Sequence, residues 1–535
     1  MRKNSCLLPR AKRKDSHITR SRQTVFGGLS SCPVPAKEEI AFMQNLSAKT
    51  YPAMGTLEKR FSYDVSSSSG TPHGLCRHDG IVMARGNGLY ALSEDGSLSK
   101  IATVTDTDKT FAAFGRRLFI LPDRICCDTA DGSVRRLDAD TGFLSEASLG
   151  SNYVTYGTTN WQQYGFEVGD GVEIHVKNYI LGSTTVFKRK VLGMTTGTLF
   201  FDGAFERTGT FDIAIKRSFP QLTGLCALGD RLMGYNGNTI YLSEAGNPFN
   251  WSSVRDSNED PVTLETGGSG EITACAAYRG YGVFFKEDHL YQLMGNHAGD
   301  YLLDSMAAPG IAAHSASSLC EVAGWLYYLA PGGVYRFDGD HPEYVGQALP
   351  QGLTRGVGGT DGVCYYLATL NTDGTSHMYA YHCENRMWYA QDLLAVKAMA
   401  TRGDLLFIQT RAGSLLRNAR RGESLPENQT NITETASALP SVVEFGEELG
   451  GTAHGLRLHG LHLRAQSDGN SFLYAYVAYD GSDTWELMGT VKGKGKGMIH
   501  FTPYPRRAQS YRLRLAMTGQ WIISEMICDY EKGKQ

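Results

Sequence analysis

The segments Gly280-Tyr-Gly-Val-Phe-Phe285 and His289-Leu-Tyr291, then Gly324-Trp-Leu-Tyr-Tyr328 and Gly333-Val-Tyr335, state one phrase twice. A Gly-marked turn opens an apolar strand, and a short strand ending in Tyr follows. Outward from there the short strand recurs as Gly88-Leu-Tyr90, Ser133-Val-Arg135, Thr239-Ile-Tyr241, His377-Met-Tyr379 and Ser414-Leu-Leu416. Successive copies lie 45, 106, 50, 44, 44 and 37 residues apart. A period of roughly 40–50 residues with several strands per unit is the signature of a β-propeller. The spacing of 106 contains two periods only if roughly 60 residues are inserted there. The pattern predicts about seven blades, or six if one irregular unit is a closure element.

Composition agrees with an all-β chain. The 62 glycines in 535 residues exceed the usual ~7%, and 28 Tyr and 22 Phe accompany them. Such a length implies more than one domain. A net charge of −3 argues against a dedicated nucleic-acid binder. The 11 cysteines show no C-x₂-C pair; scattered in apolar runs (Cys226, Cys275, Cys320, Cys364), they read as buried reduced thiols. Residues 1–22 carry eight Lys/Arg and one Asp without an apolar stretch, which predicts a basic disordered arm rather than a secretory signal. No run of about 18 apolar residues occurs, so no membrane insertion is expected.

Residues 23–70 form a leader and linker. Ile40, Met43 and Leu46 at three-residue spacing predict a short helix ended by Tyr51-Pro52. Blades occupy 71–149 and 220–418. Between them, 150–219 alternates like a small five- or six-strand β-barrel. Residues 419–440 read as a polar linker, and 441–535 alternate as a C-terminal β-sandwich of jelly-roll type.

Chemistry-bearing motifs are weak. Gly489 to Gly497 lacks the Gly-Lys-Ser/Thr of a phosphate loop and reads as a basic hairpin tip; Lys492, Lys494 and Lys496 could meet a phosphate backbone there. His459 and His462 should point to opposite strand faces, so with His454 they predict no metal site. Asp138/Asp140 and Asp338/Asp340 read as turn formers rather than calcium ligands. Asn428 and Asn431 head glycosylation triplets that mean little without a signal. No catalytic, cofactor-binding or metal residue is assigned, and an enzyme is not expected.

Three regions resemble a known family. The first is Phe26-Gly-Gly-Leu, with Gly28, then Met43-Gln-Asn45-Leu and Tyr51-Pro52. The second runs from Ile215 through Arg231 to Ser243-Glu-Ala-Gly-Asn-Pro248-Phe-Asn250-Trp251. The third is Tyr479-Asp-Gly, Pro505-Arg506-Arg507, Tyr511-Arg-Leu-Arg-Leu515 and Asp529-Tyr-Glu. In this order they resemble propeller-bearing structural proteins of tailed bacteriophages and prophages, of the tail nozzle, tail tubular and DNA-stabilization kind. Met233 departs from the aromatic common in that family, and Ala508 from its Cys. The resemblance implies a virion protein of the tail or neck, found in the host cytoplasm before assembly. It implies a ring of identical copies, a hexamer by family analogy, with the portal or adaptor and other tail proteins as partners. Contact with double-stranded DNA would be transient, and no cofactor is implied. Two other readings stand beside it. One is a tail module binding a host receptor or glycan through Trp161, Trp251 or Trp388; the other is a propeller hydrolase.

Overall fold

The computed structural model describes residues 18–32, 35–36, 38–129, 131–178, 183–253, 257–371, 374–425, 430–435, 440–449 and 455–532. Residues 1–17 of the expected basic arm, His454 and Asn428 lie outside the described residues. Among the described residues, no helix is long and apolar enough to cross a membrane. The chain divides into two units: residues 59–386 with 393–435, and residues 1–58 with 387–392 and 436–535.

The first unit is a β-propeller of seven sheets. Six of the sheets are antiparallel meanders in chain order, and the seventh takes in a strand from before the first. The first runs Pro72–Arg77, Ile81–Arg85, Gly88–Leu92, Leu98–Thr103, and the second runs Thr110–Phe114, Arg117–Leu121, Ile125–Asp128, Val134–Arg136. The third runs Gly224–Leu228, Arg231–Asn236, Thr239–Leu242, Val262–Glu265, and the fourth Ala274–Tyr278, Tyr281–Phe285, His289–Met294, Leu302–Ala307. Cys320–Val322, Trp325–Ala330, Gly333–Phe337 and Glu343–Tyr344 make the fifth. Thr354–Thr360, Cys364–Leu370 and Ser376–His382 belong to the sixth, and Val396–Arg402, Leu405–Thr410 and Leu415–Asn418 open the seventh. The turn pairs Arg279-Gly280 (φ 50° and 84°) and Ala323-Gly324 (φ 50° and 77°) have both residues left-handed. Two left-handed residues match the twist of tight hairpins, which explains the glycine at these two turns.

Second strands are buried on both faces because every blade is packed between two others. Trp325–Ala330 is therefore apolar throughout rather than alternating. Tyr328 meets Phe285 of the fourth blade at 5.1 Å, and its neighbour Tyr327 stacks on Tyr365 of the sixth at 5.1 Å. Separate apolar clusters join blades one to two, two to three, three to four and four to five. Thr401 donates to Thr360 O at 2.5 Å between six and seven. Between seven and one, buried Gln409 donates to Ala84 O at 2.9 Å and accepts from Gly74 N at 3.1 Å.

The seventh sheet closes the ring. Arg60–Tyr63, from before the first blade, pairs with Leu415–Asn418, and Ile432–Thr435 then pairs with Arg60–Tyr63. The expected linker 419–440 thus returns a strand to the wheel. The irregular unit is both a closure element and a seventh blade.

An excursion between the second and third blades forms a six-strand barrel. Gly209–Arg217 pairs with Leu144–Leu149 on one side and Gly171–Asn178 on the other, which closes the circuit. It begins at Leu144 rather than 150. Val154, Trp161, Phe166, Ile174, Leu199 and Ile213 fill its interior.

The second unit is a two-sheet β-sandwich. One sheet orders Ile18–Gln23, Trp521–Lys532, Leu456–Ser467 and Lys496–Phe501; Met54–Gly55 also pairs with Trp521–Lys532. The other orders Ile40–Gln44, Ser441–Phe445, Ser510–Thr518, Phe472–Tyr479 and Glu486–Lys492, with Glu448–Leu449 on Ser510–Thr518. Three expectations are corrected here. Residues 18–22 of the arm are a strand, held by Arg20 to Asp529 at 2.7 Å. The expected helix is the strand Ile40–Gln44, whose register shifts between Ile40 and Phe42. That bulge brings Ile40 and Met43 to the buried side with helix-like spacing. The lysine segment is also no hairpin tip, because Glu486–Lys492 and Lys496–Phe501 belong to different sheets.

Phe61 is fully buried in the closure strand, among Tyr63, Leu75, Phe407 and Leu415, under the Arg417 guanidinium at 4.7 Å. Phe61→Ala is expected to cost about 3–5 kcal/mol. Chemical denaturation should show it, with proteolysis of the seventh blade appearing first.

Candidate functional site

The first strands of all seven blades surround an axial cavity of about 660 Å³. His73, Asp108, Lys109 and Lys397 of its lining are ion-paired. His73 lies between two carboxylates, 2.5 Å from Asp106 and 3.2 Å from Asp108. Lys397 donates to Asp108 at 2.6 Å, and Lys109 pairs with Asp123 at 2.5 Å. The His73 and Thr71 hydrogen bonds hold the Asp106 carboxyl below the ordinary range. Burial opposes ionisation of Asp108, but Lys397 and His73 outweigh it, so its carboxyl is also held low. Among the described residues no group of three His, Cys, Asp or Glu could hold a metal ion.

The second construction is the joint between the barrel and the wheel, where the motif of residues 243–251 lies. Asp170 of the barrel accepts from Arg217 at 2.5 Å and from Arg135 of the second blade at 2.7 Å. Arg217 is 1% exposed and also donates to Gly165 O at 2.6 Å and Arg136 O at 2.7 Å. Burial pushes the Arg217 guanidinium down from its ordinary pKa, while Asp170 pulls the other way. Phe249 faces Arg135 at 3.9 Å. Asn247 donates to Gly169 O at 3.0 Å, and both Asn247 and Asn250 donate to Glu244 at 3.1 Å. Lys190 of the barrel donates to the same carboxylate at 3.0 Å. A Cβ on Gly171 would lie 2.4 Å from Asn250 Oδ1, so a larger residue there would displace the Asn250 side chain.

The remaining motif residues also hold the fold together. Arg231, 2% exposed, donates to Ser243 O at 2.7 Å, Asp260 O at 2.8 Å and Asn258 O at 3.0 Å. Trp251 donates to Pro248 O at 2.9 Å and packs edge-on against Phe219 at 5.2 Å. In the sandwich unit, a Cβ on Gly28 would lie 2.8 Å from Trp388 O. Fully buried Asn45 takes a left-handed φ of 55°, donates to Pro440 O at 3.2 Å and accepts from Ser441 at 2.7 Å. Tyr51 ends the turn Ala48–Thr50, and Pro52 O accepts from Phe26 N at 2.9 Å. Arg506 pairs with Glu486 at 2.8 Å, while Pro505 and Arg507 are exposed. Lys492, Lys494 and Lys496 are exposed at a corner pinned by buried Gly493, where a Cβ would lie 2.2 Å from Asp468 O.

Other candidates settle into structural roles. His459 is the extra residue of a bulge, since Leu458 faces Tyr530 and Gly460 faces Asp529. His459 and His462 therefore share a face, contrary to the strict alternation expected of them. They lie 3.4 Å from Glu531 and 3.2 Å from Asp529. Asp140 and Asp338 accept backbone N–H groups of their own turns at 2.8 and 3.1 Å. Trp161 and Trp388 are 1% and 2% exposed, so neither offers a ring face to a sugar.

No family model and no curated protein matches the chain. Solved structures that align with it are Kluyveromyces lactis Hsv2 (11% identity, TM-score 0.31, covering 79% of this chain and 99% of that one) and Moraxella catarrhalis BamB (12%, 0.31, 77% and 100%). An exo-beta-1,3-galactanase from Phanerochaete chrysosporium aligns at 10% identity with TM-score 0.23, covering 57% of this chain and 95% of that one. The seven sheets and their closure define the propeller.

Asp170→Ala should leave two arginines without their shared acceptor and cost about 3–5 kcal/mol. Hydrogen exchange should show it as early loss of protection across the barrel strands. Acid should weaken the channel ion pairs. Carboxyls held low in the folded state add stability above the unfolded value of about 3.9 and lose it as pH falls through their folded values. Between about pH 5 and pH 3 the melting temperature of Asp106→Asn/Asp108→Asn should therefore fall less than that of the parent.

Proposed function

We propose that the chain is a non-enzymatic virion component of a tailed bacteriophage. It would be a nozzle-type ring subunit of the tail or neck that attaches below the portal or adaptor and retains or conducts packaged DNA. One observation supports this reading most: the motif residues that carry the family resemblance serve as mechanical joints. Asn250 and Phe249 seat the barrel, Arg231 ties the third blade's long loop, and Gly28 and Asn45 weave the leader into the sandwich. A subunit that bears load needs rigid modules and stiff connections between them.

The axial cavity of about 660 Å³ is of small-molecule size. A duplex in this reading runs through the opening between copies, not through one wheel. A net charge of −3 suits passage, since each phosphate neutralised by a lysine adds a salt-dependent attachment. Exposed Lys492, Lys494 and Lys496 are the groups offered for transient DNA contact.

Electron microscopy of the purified chain, alone and mixed with its portal or adaptor, tests the proposal. Closed rings of identical copies are expected, hexameric by family analogy. A protein that stays monomeric at high concentration and ignores the portal would contradict it.

A further inference from the structure

Cys226 and Cys275 occupy the first strands of the third and fourth blades. They are 49 residues apart, about one repeat, so the ring brings them side by side. Cys226 donates its S–H to Cys275 Sγ at 3.1 Å. The backbones around them are anchored. Tyr235 beside Cys226 donates to Thr273 O of the fourth blade at 2.7 Å, and Met233, Tyr235, Phe284 and Tyr291 pack into the same cluster. Cys275 is a lining residue of the axial cavity and Cys226 is not, so of the two it is the one offered to a small molecule there. Both thiols are free.

We propose that Cys226 and Cys275 form a redox-modification site: a dithiol that a peroxide entering the axial cavity converts to a disulfide stapling the third blade to the fourth. In the first step Cys275 sulfur attacks one peroxide oxygen. The O–O bond breaks, one water leaves, and Cys275 becomes a sulfenic acid. In the second step Cys226 sulfur attacks the Cys275 sulfur. The S–S bond forms, the S–O bond breaks, the Cys226 proton goes to the departing oxygen, and a second water leaves. Two thiols are oxidised by two electrons and one peroxide is reduced to two waters. A disulfide bond of about 2.05 Å needs the sulfurs to approach by roughly 1 Å, within reach of side-chain rotation. Burial, then the hydrogen bond and charge of Cys275, push the Cys226 thiol up. The attacking species is the thiolate, so the second step should be slow near neutrality and quicken with rising pH.

The test exposes the full-length native chain to hydrogen peroxide, blocks remaining thiols under denaturing conditions, and maps the peptides by mass spectrometry. A linked pair of peptides bearing Cys226 and Cys275 is expected, with a reductant-reversible loss of two of the 11 thiols. Cys226→Ser should abolish the link and leave a sulfenic acid at Cys275 that dimedone traps; Cys275→Ser should give neither product. If a serine variant misfolds, the wild-type peptide map decides alone. Links joining other cysteines, or a full thiol count after oxidation of the wild type, would overturn the proposal.

Discussion

A propeller sheet has two apolar faces, and a ring is the arrangement that covers both for every sheet. The structure depends on that closure. Were the last sheet unpaired, Leu75, Ile81, Phe407 and Leu415 would lose the cluster they share across the seam. At ~25 cal/mol per Å² of apolar surface, exposing one such side chain costs about 1.5–3 kcal/mol. The chain answers by placing Arg60–Tyr63 beyond Leu415–Asn418 and then adding Ile432–Thr435. Two segments far apart in sequence are thus sewn into one sheet, so unfastening the wheel requires breaking strand pairs on both sides of Arg60–Tyr63.

The barrel poses the opposite problem, since it must leave the wheel and still be held. A buried carboxylate shared by two arginines does this at Asp170. Each charge is expensive to bury alone and acceptable only with its partners. The geometry therefore specifies one seating of the barrel. The loop that carries Phe249 and Asn250 completes the socket, which accounts for a motif with no evident chemistry.

Much of this architecture could be read from the sequence because it repeats. Turn glycines and strands buried on both faces recur with the blade period, and the alternation of Leu456–Ser467 and Ser510–Thr518 reports the sandwich directly. What could not be read arises where local pattern and pairing part company. A β-bulge gives Ile40 and Met43 the three-residue spacing of a helix, and another brings His459 and His462 to one face. Neither bulge is visible before the partner strand is known. Closure by Arg60–Tyr63 and the docking of Asp170 on Arg135 and Arg217 are long-range pairings with no local signal. Cys226 and Cys275 did carry one, because two cysteines one blade period apart on first strands become neighbours in a closed ring.

The most direct measurement of closure is native-state hydrogen exchange resolved to single amides. The account predicts that the amides of Phe61 and Tyr63 exchange as slowly as those of Ile408 and Leu416, through one cooperative opening. Rapid exchange of residues 60–63 while Leu405–Thr410 stays protected would contradict it, because the wheel would then stand open at its seam.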